Sequence, residues 1–370
     1  MKYYIIAGEA SGDLHGSNLM KNIFKQDPNA EIRFWGGDLM QQAGGTLVKH
    51  YRDLAFMGFA EVAMNLKTIL NNIKICKSDI LKFKPDVIIY IDYPGFNMRI
   101  AEWAKKIGIK NHYYISPQIW AWKESRIKAI KRDVDKMYVI LPFEKDFYEK
   151  KHHFPVEFVG HPLIDAIHNR QKTDPTLFKK ENGLDERPII ALLPGSRKQE
   201  ISKMLSEMLA VMKDFPDYQF VIAGAPSQEF SFYEQFLTND QVHFISNKTY
   251  DLLSVAHAAL VTSGTATLET ALFKVPEVVL YKGSFISYHI AKRIITLKYI
   301  SLVNLIMDKE VVTELIQNEC NPKRIKTELE KLLNPEYRAK VLHNYELLEE
   351  KLGGEGASEK TAHLIYTAVN

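Results

Sequence analysis

Cysteine is nearly absent from this chain: 370 residues hold two, Cys76 and Cys320, in separate helical patterns. Neither has metal-ligand spacing, which leaves them without a zinc or catalytic role and fits free thiols in a reducing compartment. Long apolar runs are also missing. None approaches the roughly 20 residues that a membrane-spanning helix requires, and the apolar start, Tyr3 to Ala7, is too short for a signal-peptide core. A cytoplasmic protein is the expectation. Charge of one sign is lacking too: Lys plus Arg total 48 against 45 for Asp plus Glu, a net of +3 with no basic tail. That balance argues against a dedicated nucleic-acid binder. Neither a Walker sequence nor a G-x-G-x-x-G turn occurs, so a P-loop ATPase and a dinucleotide dehydrogenase both lose their main support. There is no repeat of solenoid period and no low-complexity segment.

What is present is length and alternation. With 46% hydrophobic residues over 370 positions, the chain exceeds one ordinary core and fits two α/β domains. In the first half, strand patterns at Tyr3–Ala7, Glu31–Trp35, Val87–Ile91, His112–Ile115 and Met137–Leu141 alternate with amphipathic helical stretches. That alternation predicts a parallel sheet. After the polar stretch Asn169 to Arg187 it restarts, with strands at Ile189–Leu193, Gln219–Ala223, Val242–Ile245, Ala259–Thr262 and Val278–Tyr281. The boundary therefore falls near Gly160–Asp165. The expected division is residues 1–165, joined by a C-terminal helical segment from about 345 to 370, and residues 166–344.

Two small-residue turns in the second half carry the chemistry: Leu192-Leu193-Pro194-Gly195-Ser196-Arg197 and Thr262-Ser263-Gly264-Thr265-Ala266-Thr267-Leu268-Glu269. Each follows a strand and opens a helix, which puts both at the carboxyl edge where open α/β sheets bind ligands. Helix N-termini offer unpaired N–H groups and a partial positive charge, and Arg adds a planar fork of donors. Gly195, Ser196, Arg197, Ser263, Gly264, Thr265 and Thr267 together read as a diphosphate cradle. Glu269, one turn inside the second helix, suits ribose hydroxyls. Either turn alone is equally an ordinary strand-to-helix connection; the pair points to a nucleotide.

The first half has an edge of its own. Gly8-Glu9-Ala10-Ser11-Gly12-Asp13-Leu14-His15-Gly16 follows the first strand, and Glu9, Ser11, Gly12 and Asp13 are candidates for the acceptor side of a cleft. Helix capping is the alternative for Ser11 and Asp13. Asp92 ends the strand Val87–Ile91, before Tyr93-Pro94-Gly95-Phe96-Asn97. A carboxylate there, in a partly dry cleft, has a raised pKa and can accept a proton from an incoming hydroxyl; an Asx turn before Pro94 is the structural alternative. Ser116 and Trp120, in the aromatic stretch Tyr114 to Lys123, complete the acceptor-side set. Trp120 and Trp122 read either as core or as a wall for an apolar ligand.

No metal is assigned. Asp133-Val134-Asp135 has the D-x-D form that holds a divalent cation on a diphosphate, but it precedes a strand and so lies at the wrong edge of the sheet. His152, His153 and His161 lack a supporting ligand framework. The stretch Val62 to Phe83 is different in kind. Val62, Leu66, Ile69, Leu70 and Ile73 recur at helical spacing, Met64 enlarges the apolar surface, and Lys67, Lys74 and Lys77 flank it. Two readings stand: a surface that lies on an anionic membrane, and an amphipathic helix packed on the sheet with a basic outer face. Phe285–Leu297 has the same character.

With these residues assembled, the chain resembles the lipid-A-disaccharide synthase family, glycosyltransferase family 19, over nearly its whole length. The carriers are GEASGDLHG from Gly8, IDYPGFN from Ile91, YYISPQIWAWK from Tyr113, LPFEKDFY from Leu141, LLPGSR from Leu192, SGTATLE from Ser263 and YISLVNLIMDKEVVTELIQNEC from Tyr299. The resemblance implies a GT-B fold: two Rossmann-like, doubly wound domains facing across a cleft, with the acceptor on residues 1–165 and the UDP-sugar donor on residues 166–344. It implies transfer of 2,3-diacylglucosamine from its UDP derivative to the 6-hydroxyl of 2,3-diacylglucosamine 1-phosphate, with inversion and with neither metal nor organic cofactor. Under it Asp92 is the base, Arg197 neutralises charge on the departing UDP, and Asn304 and Gln317 complete the donor pocket. It also implies peripheral attachment to the inner membrane from the cytoplasm, and it leaves a homodimer open. Where the family pattern carries Asp and Pro, this chain has Gly95 and Val303; Gly95 leaves Asp92 as the single acid of its segment. The nearest rival is another GT-B enzyme on a UDP-sugar, such as a 2-epimerase, which has no use for the apolar Val62–Phe83 surface. A non-enzymatic nucleotide-sugar binder would hold the ligand without turnover.

Overall fold

The computed structural model describes residues 1–54, 66–225, 228–237, 241–283 and 298–370. Within them the chain forms two compact units, Met1–Asn169 with Leu352–Asn370, and Arg170–Lys351.

The first unit is built on parallel strands β1 Lys2–Ala7, β2 Glu31–Gly36, β3 Thr46–His50, β4 Val87–Ile91, β5 Lys110–Tyr114, β6 Lys136–Val139 and β7 Glu157–Phe158. They lie in the order β3-β2-β1-β4-β5-β6-β7. β1 from Tyr3 and all of β4 are buried, as expected of strands covered by helices on both faces. The chain winds outward from β1 to β3 and then crosses back to β4, so the strand order reverses between β1 and β4. At such a reversal the following loops diverge and leave a crevice at the carboxyl ends. The helix Ala357–Val369 belongs to this unit and packs on the helix Ala10–Gln26. Its start is held by Asp165, whose carboxylate accepts from the amides of Gly356 (2.7 Å) and Ser358 (2.9 Å).

The second unit repeats the scheme with β8 Ile189–Leu193, β9 Gln219–Gly224, β10 Val242–Ser246, β11 Ala258–Thr262, β12 Glu277–Tyr281 and β13 Thr313–Ile316. The order is β10-β9-β8-β11-β12-β13, again all parallel, with the reversal between β8 and β11. Every strand read from the sequence is present, and both units are doubly wound α/β. β3, β7 and β13 were not anticipated; each is an edge strand.

The helix Leu66–Phe83 packs against the first sheet. Ile73, read as a membrane-surface candidate, is buried in the core with Cys76 and Ile80, and Ile69 packs against that cluster. The helical spacing of these residues therefore reports sheet packing. Leu70, by contrast, is exposed, as are Ile75 and Leu81. Leu66 opens the helix, whereas Val62, Met64 and the stretch Phe285–Leu297 lie outside the described residues. Among the described residues no helix is long and apolar enough to cross a membrane.

Glu277, at the amino end of β12, is fully buried, and neither carboxyl oxygen has a hydrogen-bond partner among the described residues. Burial pushes its pKa well above the usual carboxylate range, so it is held as the neutral acid. Above the ordinary value of 4.5 the unfolded chain releases a proton that the folded chain retains, and stability falls as pH rises toward the folded-state pKa. The slope from this group is about 1.4 kcal/mol per pH unit. Denaturant titrations run upward from about pH 5 should show a decline in stability that Glu277→Gln lessens; a variant with the wild-type slope would contradict the assignment.

Candidate functional site

In the second unit the turns after β8 and β11 meet at one pocket of about 330 Å³. Its walls include Gly195, Ser196, Ser263, Gly264, Thr265 and Glu269. Gly195 has φ +99°, and a Cβ there would fall 2.2 Å from Glu200 Oε2, so this turn requires glycine. Arg197 stands at the N-cap of the helix Lys198–Leu209, and Gly264 at the N-cap of the helix Thr265–Leu272; neither helix has a side-chain cap. Two open helix N-termini therefore flank one pocket, the arrangement that favours an anion. Thr262, 96% buried, also lines it, with its hydroxyl unpartnered among the described residues. The Arg197 side chain is exposed and makes no hydrogen bond or ion pair with a described residue. Glu200 Oε2 accepts from the Ser196 amide (3.2 Å). Ser263 Oγ donates to Ile300 O (3.1 Å), and Thr267 Oγ1 donates to Gly264 O (2.9 Å), so Thr267 braces the turn from a buried position. Glu269 accepts from Tyr250 Oη (2.8 Å), and burial raises its pKa.

In the first unit Asp92 follows β4 at the reversal. Asp92 and Tyr93 have φ of +44° and +48°, consecutive left-handed conformations that cost non-glycine residues about 1–3 kcal/mol each. The turn is overdetermined. Asp92 O accepts from Asn97 Nδ2 (2.7 Å) and Tyr113 Oη (2.7 Å), while the Tyr93 ring lies where a side chain on Gly8 would be, 2.4 Å from its virtual Cβ. The Asp92 carboxyl is half-buried and its pKa is pushed up to about 6, first by burial, then by the charge of Glu9, against a hydrogen bond from the Tyr93 backbone. Glu9 is the exposed N-cap of the helix Ala10–Gln26. Thus Asp92, the single acid of its own segment, has a second acid across the crevice mouth. Ser11 is exposed, and Gly12 is buried with a virtual Cβ 3.1 Å from Ala7 Cβ.

Several sequence candidates take structural places. Asp13 is buried and accepts from the amides of Gly37 (2.7 Å), Leu39 (3.1 Å) and Met40 (3.0 Å), holding the N-terminus of the helix Asp38–Ala43. Asn304 is also spent internally. Its Oδ1 accepts from Val311 N (2.7 Å) and Val312 N (3.0 Å), and its Nδ2 donates to Val312 O (2.8 Å) and Glu314 Oε1 (2.9 Å). Gln317, at φ +52°, lines a separate pocket of about 830 Å³ with Lys203, Glu207 and Lys282. Ser116 Oγ and Trp120 Nε1 both donate to the buried carboxyl of Glu144. Asp133 and Asp135 precede β6 and pair with Arg132 and Lys105. Among the described residues no group of three or more His, Cys, Asp or Glu side chains gathers as metal ligands. Sequence reasoning gave no role to Asn97, Tyr113, Glu144 and Tyr250; Asn97, Tyr113 and Glu144 stand inside motifs already marked, IDYPGFN, YYISPQIWAWK and LPFEKDFY, and Thr262 opens the second marked turn.

Both units are Rossmann-like and doubly wound, and together they have the GT-B type of fold. Solved structures share the fold: UDP-GlcNAc 2-epimerase from Neisseria meningitidis bound to UDP-GlcNAc (TM-score 0.68, 14% identity, 100% of both chains) and the glycotransferase of kitacinnamycin (TM-score 0.67, 13% identity, 100% of this chain and 99% of that one). The family model described as lipid-A-disaccharide synthetase matches residues 3–367. Lipid-A-disaccharide synthase of Syntrophus aciditrophicus (strain SB) is 41% identical over 376 residues, 99% of this chain and 97% of that protein. The chain belongs to the lipid-A-disaccharide synthetase family, glycosyltransferases that form the lipid A disaccharide.

Gly195→Ala forces a methyl group against Glu200 at a left-handed position, a cost of about 1–3 kcal/mol, and should weaken UDP binding by about tenfold or more in calorimetry. Unaltered affinity would place the diphosphate elsewhere.

Proposed function

We propose that this protein transfers 2,3-diacylglucosamine from UDP-2,3-diacylglucosamine to the 6-hydroxyl of 2,3-diacylglucosamine 1-phosphate, with inversion at the anomeric carbon. The observation that carries this reading is the pocket between β8 and β11, where two uncapped helix N-termini and the unpartnered Thr262 hydroxyl converge. Family membership supports a nucleotide-sugar donor and a lipid acceptor. The turns at Gly195–Ser196 and Ser263–Thr265 take the diphosphate, Glu269 takes the ribose, and Arg197 meets the charge that develops on UDP as it leaves. Gln317 lines the separate pocket with Lys203 and Lys282, and its part is to contact the donor beyond the diphosphate. Asp92 takes the proton from the acceptor hydroxyl as its oxygen bonds to the anomeric carbon and the bond to UDP breaks. A pKa near 6 leaves Asp92 mostly ionised at neutral pH and more basic than an ordinary carboxylate. A single displacement of this kind inverts the anomeric centre. Both substrates are lipids, so the protein works at the inner-membrane surface from the cytoplasm; exposed Leu70 and Leu81, with Lys67 and Lys74 on the same helix, supply apolar and cationic groups for adsorption.

Purified protein given both substrates and a chelator should produce disaccharide 1-phosphate by mass spectrometry. Asp92→Asn should lower turnover by about 10²–10⁴-fold with UDP binding retained, and Arg197→Ala by about 10²–10³-fold. Because the base acts ionised, kcat/KM should fall below about pH 6, and Glu9→Gln, which removes a repelling charge, should move that limb to lower pH. Full activity in Asp92→Asn would refute the assignment. Leu70→Glu should weaken sedimentation with anionic vesicles; unchanged sedimentation would remove this face from the membrane contact.

A further inference from the structure

We propose that Glu144 is a positioning residue for the acceptor: it pins the segment from Ser116 to Trp120 in place beside the turn that carries Asp92. This rests on the transfer reading above and adds a residue to it.

Glu144 is buried in the helix Pro142–Asp146, which follows β6. Its Oε2 closes the start of that helix, accepting from Leu141 N (2.9 Å) and Ile140 N (3.2 Å). An ordinary helix-capping role would end there. Its Oε1 instead accepts from Ser116 Oγ and from Trp120 Nε1 (3.2 Å), both on the connection that leaves β5. One carboxyl therefore fastens two consecutive strand ends together. Tyr148 Oη adds a bond to Pro117 O (3.3 Å), and the Trp120 ring stands edge-on to Phe143 with centroids 4.9 Å apart.

The fastened connection starts under strain. Ile115 has φ +66°, a conformation that is an outlier for a β-branched residue and persists only where neighbours enforce it. It also starts next to the proposed base. Ile91 pairs with Tyr114 across β4 and β5, Asp92 N donates to Tyr114 O (3.4 Å), and Tyr113 Oη donates to Asp92 O (2.7 Å). Beyond Trp120 the connection presents exposed Trp122, with Lys123 Nζ 4.3 Å and the Arg126 guanidinium 5.5 Å from its ring centroid. Neither cation has a carboxylate partner among the described residues. An aromatic ring beside two such cations suits an acylated sugar bearing a phosphate.

The test is steady-state kinetics with each substrate varied in turn, on wild type, Glu144→Gln, Trp120→Phe and Ser116→Ala. Glu144→Gln keeps the shape but turns an amide nitrogen toward two donors; the other variants each remove one donor and do not depend on how Glu144→Gln folds. The expected result is an acceptor KM raised about tenfold in Glu144→Gln and severalfold in the others, with donor KM, UDP affinity and Tm close to wild type. A joint rise in donor and acceptor KM with a lowered Tm overturns the proposal, as does an unchanged acceptor KM in all variants. Wild-type protein that makes no disaccharide would instead overturn the transfer reading.

Discussion

The reversal of strand order beside the first strand of each sheet is the constraint on which the site depends. Parallel strands need crossovers, and where the winding direction changes, the loops leaving two adjacent strands turn to opposite faces. The space they vacate falls at β1 and β4 in one unit and at β8 and β11 in the other. Asp92 and Glu9 stand at the first of these places, and the turns around Ser196 and Gly264 at the second. No specialised insertion is needed to build either one. The fold supplies two crevices, and the residues at the strand ends decide their chemistry.

The two crevices are tuned in opposite electrostatic senses. Around Asp92 the chain accepts left-handed backbone at two successive non-glycine residues, held by Asn97, Tyr113 and the ring of Tyr93 over Gly8. Burial and the neighbouring Glu9 then disfavour the carboxylate, which makes it a better proton acceptor once ionised. Between β8 and β11 the turns present amides and hydroxyls, which favour negative charge, beside the carboxyl groups of Glu200 and Glu269. The carboxylate of Glu200 already rests on the Ser196 amide there, an internal anion where an external one is expected to bind.

How much of this could be read from sequence follows from where the information sits. Buried strands such as Val87–Ile91 and Ile189–Leu193 are continuous apolar runs because both faces are covered, and they were legible. β3, with residues such as Lys49 and His50, two-residue β7 and half-exposed β13 lie at sheet edges; lacking that coverage, they carry no such signature. Strand-end turns exposed Asp92, Ser196 and Ser263 as candidates because loop chemistry is local. Asp13, Asn304 and Glu144 were not legible in the same way. The partners that decide their roles are distant in sequence, Met40 for Asp13, Val311 for Asn304 and Ser116 for Glu144, and the same carboxylate or amide type serves a ligand or the backbone depending on what the fold brings to it. Ile73 could be read either as membrane surface or as sheet packing because an apolar stripe on a helix has the same period whether it meets a membrane or a sheet; the fold puts it in the core.

A crystal structure of the protein grown with UDP tests the central claim most directly. The account predicts diphosphate oxygens within hydrogen-bond distance of the amides that open the helices Lys198–Leu209 and Thr265–Leu272, with Glu200 displaced from Ser196. UDP seated instead in the pocket lined by Lys203, Lys282 and Gln317, with the turns at Ser196 and Gly264 untouched, would contradict it.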